Sequence, residues 1–152
     1  PMIELLPALE GFISAAKAMA SFDAFRKNRK GDARALIDEL KANSRLCFRV
    51  ISDGVSPGTV IPHFVTTEFD RLNKAGFNFN LLQRNRIPHF PGIEKTDLAS
   101  WADKTTEALI VNIYDKIKNV QSIHQFASGH ASIRRRIINI HKRILHLLRH
   151  AE

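Results

Sequence analysis

The stretch ASIRRRIINIHKRILHLLRH, Ala131–His150, decides how the chain is read. Its apolar residues Ile133, Ile137, Ile140, Ile144 and Leu147 are spaced 4, 3, 4 and 3 apart. That spacing returns to one side of an α-helix, so it marks a helix with an apolar seam against a neighbour. Ile138, Leu145 and Leu148 widen the seam. It is too short for an extended coiled coil. Basic residues flank it: Arg134, Arg135, Arg136, Lys142, Arg143 and Arg149, with His141, His146 and His150 among them. Arg134 and His141 are in line on one edge, and Arg136 and Arg143 on the other. The helix is therefore expected to face the core with its apolar side and solvent with its cationic side. Such a face can track phosphates, because arginine offers bidentate contacts and lysine adds point charge. The six Arg and Lys residues are the candidate nucleic-acid-binding set.

The same helical period runs through most of the chain. A first helix is expected over about Ile3 to Lys30, ending in the basic turn Arg26, Lys27, Arg29 and Lys30 before Gly31. A second starts near Asp32, carries Leu36, Leu40, Cys47, Phe48 and Ile51, and stops at Asp53-Gly54. A short third helix follows from about Thr59, with Pro62 in its first turn and Gly76 after its end. Residues 77–95 alternate like a strand at Phe77, Phe79 and Leu81. No partner strand is evident, so they are expected to lie extended over the bundle. A fourth helix spans about Thr96 to Phe126, with Trp101, Leu109, Ile113, Ile117 and Val120 on one face. Ser128-Gly129 breaks it, and the last helix fills 130–150. The expected fold is an all-α bundle of four longer helices plus a short additional one, in a single domain over residues 1–152.

Composition narrows the functional classes. The 152 residues hold 23 Lys and Arg against 15 Asp and Glu, a net charge of +8. The excess gathers late: Ser122 to Glu152 holds six Arg or Lys and one acid. A basic face concentrates polyanions. The opening PMIELLPALEGFISAAKAMA is apolar, but Glu4, Glu10 and Lys17 interrupt it, so it is not expected to span a membrane. No basic segment precedes it as in a signal peptide. A soluble cytoplasmic protein with no membrane partner is expected. The single Cys47 lies in the apolar run RLCFRVI and reads as a buried hydrophobe. His146 and His150 could offer a metal two positions, but there is no H-E-x-x-H and no Cys pair, so no metal or cofactor is expected.

The segment Arg136-Ile137-Ile138-Asn139-Ile140-His141 has the spacing R-x4-H. It resembles the signature of HEPN-superfamily helical bundles, whose R-x4-6-H motif lies in a late helix. Arg134 and Arg135 also fit that spacing to His141, and Arg143 fits it to His150. The resemblance implies a metal-independent ribonuclease of a defence or toxin system, often dimeric, with Arg136 and His141 as its catalytic pair. The His would move protons at the ribose 2′-OH or the leaving oxygen, and the Arg would stabilise charge on phosphorus. The two residues project about 140° apart on one helix, so a second subunit of a homodimer could complete the site. Arg84-Asn85-Arg86-Ile87-Pro88-His89 also matches by letter, but Pro88 disfavours a helix there.

Three readings follow. The first is a basic interaction module for nucleic acid, RNA before DNA, or for an acidic partner protein. The second is the HEPN-like ribonuclease. The third is a structural assembly subunit whose charge serves solubility.

Overall fold

The computed structural model describes residues 13–126 and 132–152. Among them the chain is helical and forms no strand, so the all-α expectation holds. The helices are α1 (Ala15–Lys27), α2 (Gly31–Ile51), α3 (Pro57–Val60), α4 (Thr67–Lys74), α5 (Thr106–Phe126) and α6 (Ile133–Ala151). Ser14 caps α1 through its side chain, which accepts from the Lys17 N–H at 3.2 Å. The part of the expected first helix before residue 13, and the break at Ser128-Gly129, lie outside the described residues. Gly31 turns the chain into α2 at a φ of 57°, a conformation that favours glycine.

α6 is the centre of the molecule. It packs against α5, α2 and α1. Its seam residues Ile137, Ile140, Ile144 and Leu147 are wholly buried, together with Leu36, Ile37 and Leu40 of α2 and Leu109, Ile113 and Ile117 of α5.

The expected third helix is broken in two. α3 runs for four residues, Ile61–His63 tighten into a 3₁₀ turn, and α4 begins afresh at Thr67. Pro62 has no N–H to continue the first piece. The restart is held from α2: the buried Glu39 carboxylate accepts from the backbone N–H groups of Glu68 and Phe69, at 2.7 and 3.1 Å. Asn43 grips the break by bonding both N–H and C=O of Val65 at 2.8 Å.

The expected fourth helix is also split. Asp97–Trp101 form a 3₁₀ turn, and α5 starts only at Thr106. Between them, Asp103 donates to the Ile87 carbonyl at 2.7 Å, and Ile87 donates to the Lys104 carbonyl at 2.9 Å. This long-range backbone pairing takes the groups that a continuous helix would use, and it leaves Asp103 at a φ of 69°. Residues 77–95 are not a strand. Phe79–Leu81 form a 3₁₀ turn capped by the Asn78 side chain, and the rest runs as a strap across the C-terminal half of α6.

Ile140→Ala or Ile144→Ala is expected to cost roughly 2–5 kcal/mol, because each removes a fully buried side chain from the central helix. Denaturant unfolding measures it; a loss below about 0.5 kcal/mol, the range of surface changes, would contradict a central α6.

Candidate nucleic-acid interface

The six basic residues of the candidate set divide into two groups along α6. Arg134 and Arg135 are exposed, and Arg136 is half-buried. Arg134 donates to the Val50 carbonyl at 3.3 Å, which ties this turn to the end of α2. No acid lies in the first turn of α6, and no carboxylate among the described residues pairs with these three arginines.

Lys142, Arg143 and Arg149 are engaged inside the fold. Lys142 and Arg143 both bond Asp97, at 2.8 and 2.9 Å, and Arg143 also donates to the Asn139 carbonyl at 3.0 Å. Burial pushes the Asp97 carboxyl up, but the two cations overcome this and hold it at about 2. Arg149 is buried with its guanidinium over the Phe90 ring, 4.3 Å from the centroid. The expectation of a cationic face turned to solvent along the whole helix is therefore corrected. The strap and the 97–101 turn cover the polar side of the C-terminal half.

Lys116 of α5 joins the site, although no sequence pattern singles it out. Burial lowers its pKa first, and the nearby Arg143 and Arg136 lower it further, against Asp97. Cations from α5 and α6 therefore crowd one another here, Lys116 feeling Arg143 first and Arg136 after it. Its one signal in the sequence is its place beside Ile117 on the buried stripe.

Arg136 and His141 do not meet at an open cleft. The His141 ring has no solvent exposure and stands edge-on to Phe48 of α2, with centroids 4.5 Å apart. Burial takes its pKa down to about 3. His146 is equally buried, edge-on to Phe90 at 5.5 Å, and burial with the charges of Arg149 and Arg143 lowers it to about 4. His150 is held by Thr106. The Thr106 hydroxyl donates to the Gln83 carbonyl at 2.6 Å, so it accepts from His150 Nε2 at 2.9 Å. Arg84, Arg86 and His89 are exposed on the strap. Cys47 is buried, and burial pushes its thiol up.

Among the described residues, no three His, Cys, Asp or Glu side chains gather as a metal-binding group. No helix among them is long and apolar enough to cross a membrane. Comparison with family models, curated proteins and solved structures finds no match.

The buried rings set an acid limit on stability. The fold keeps His141 and His146 neutral down to about 3 and about 4, while an unfolded chain protonates them near pH 6.5. Stability is thus full above about pH 6.5 and falls as pH drops towards 4, by up to about 1.4 kcal/mol per pH unit for each ring. Denaturant midpoints should fall from pH 7 to pH 5, and His141→Leu should flatten that fall. A flat profile in the native chain would contradict the burial of the rings.

Proposed function

We propose that the protein is a polyanion-binding module for nucleic acid, with its contact surface at the N-terminal half of α6. Arg134, Arg135 and Arg136 are its main cations, and Lys116 of α5 feels the charge of Arg136. The observation that carries this reading is the arginine triplet in the first turn of α6. The backbone dipole makes that end of a helix positive, so three cations there are unfavourable for folding alone. An anion reverses the balance: it meets the helix-end N–H groups, the dipole and the guanidinium groups together. A phosphate chain offers such anions in series.

Binding is favoured over cleavage by Arg136 and His141, since the His141 ring is enclosed in the core. The interface is also reduced from six residues to three plus Lys116. Neutralising fewer phosphates implies a modest salt dependence.

Fluorescence anisotropy with labelled RNA and DNA, over a range of salt, tests the proposal. Changing Arg134, Arg135 and Arg136 together to Ala should weaken binding to all sequences alike. It should reduce the slope of log affinity against log salt by about 1 for each phosphate no longer neutralised. Lys74→Ala on exposed α4 should leave both unchanged. Equal affinity and slope in the triple variant and the native chain would overturn the assignment.

A further inference from the structure

The C-terminal half of α6 carries a second basic cluster, and it is roofed. Arg143, His146, Arg149 and His150 fall within an arc of about 120° around the helix. All four are buried. Arg143 gives part of its guanidinium to Asp97 and Asn139, and His150 bonds Thr106. His146 differs. Neither of its ring nitrogens has a hydrogen-bond partner among the described residues, and neither has Arg143 Nε. Buried polar groups are nearly always paired, so an enclosed imidazole without a partner calls for an explanation.

Phe90 supplies the geometry of one. Its ring stands edge-on to His146 at 5.5 Å and under the Arg149 guanidinium at 4.3 Å. It also bounds a cleft of about 300 Å³, with Pro88, Pro91, Ile93, Leu98 and Ala102 among the other walls. Phe90 is thus the partition between a cleft and a cluster rich in donors. Asp97 is already bonded to Lys142 and Arg143. Glu94, at the cleft, is turned back onto the Gly92 N–H at 3.1 Å.

We propose that this cluster is a binding site for a phosphate group, reached from the cleft when the Phe90 ring swings aside. Arg149 would hold the phosphate by its fork of N–H donors, and His146 and Arg143 Nε would each add one. Arginine suits the task because its fork matches two phosphate oxygens at once. Enclosure strengthens each contact by removing water. The site shares no residue with the exposed arginine triplet, so it stands or falls apart from the proposed nucleic-acid surface.

Titration calorimetry of the full chain with inorganic phosphate tests the site, beside the ring ¹⁵N and ¹H resonances of His146. One-to-one binding is expected, with the His146 signals moving to saturation. Arg149→Gln and His146→Asn should each weaken binding roughly 10- to 100-fold, as when a charge-assisted hydrogen bond is removed. Phe90→Ala should tighten it, on the order of tenfold, by removing the population cost of displacing the roof. Where Arg149→Gln does not fold, the native chain decides through the His146 resonances. Repeating the titration in the Arg134, Arg135 and Arg136 triple-Ala chain separates this site from the first one. There, a tenfold preference for a 5′-phosphorylated dinucleotide over its 5′-hydroxyl form assigns a nucleic-acid end as the source; inorganic phosphate binding with no such preference assigns a free phosphate. No saturable phosphate binding by Phe90→Ala, or His146 signals unmoved in the presence of saturating phosphate, overturns the proposal.

Discussion

Arg143 is charged at any pH the protein meets, and the fold buries it almost completely. A buried guanidinium without a counter-charge is strongly destabilising, so a carboxylate must be brought to it. Asp97 does this at 2.9 Å while also holding Lys142. Much of the second half of the chain answers to that requirement. Asp97 opens the 3₁₀ turn that ends in Trp101, and the strap before it is drawn across α6. Gln83 reaches the His150 carbonyl at one end of the crossing, and Phe90 lies under Arg149 in the middle. Asp103 and Lys104 then pair with Ile87 and lock the strap to the start of α5.

The consequence is a central helix with two polar halves of different character. Near its N-terminus the arginines face solvent or lie half-buried, without carboxylate partners among the described residues. Near its C-terminus the cations and imidazoles are enclosed by the strap. The first half suits a long anion that slides over a surface. The second suits a small one that must be admitted. Both halves rest on the same apolar seam, so damage to Ile140 or Ile144 would disturb them together.

The seam is legible because spacing alone determines which side of a helix is apolar. The 4, 3, 4 and 3 intervals place Ile133, Ile137, Ile140, Ile144 and Leu147 on one side; the structure buries the last four and leaves Ile133 half-buried against the core. Spacing says nothing about what covers the opposite side. Arg143 and Arg149 look like solvent residues locally. Their partners, Asp97 and Phe90, come from dozens of residues upstream, and no periodicity links them. The split helices are hidden for a related reason. Pro62 could sit in a first turn, and only the distant caps from Glu39 and Asn43 show why the chain restarts at Thr67. The break before α5 depends on backbone pairing with Ile87, which leaves no mark in the local sequence. Lys116 gives no signal because one lysine beside a core stripe is ordinary until α6 brings the charges of Arg143 and Arg136 to it.

The strap covers the polar side of the C-terminal half of α6. Diethylpyrocarbonate labelling of the native protein, mapped by mass spectrometry, tests it directly, since the reagent modifies accessible imidazoles. His63, His89 and His124 are exposed and should react quickly, while His141 and His146 stay unmodified until denaturant unfolds the chain. Modification of His146 in the native protein as fast as His89 would show that the strap does not cover this side of α6.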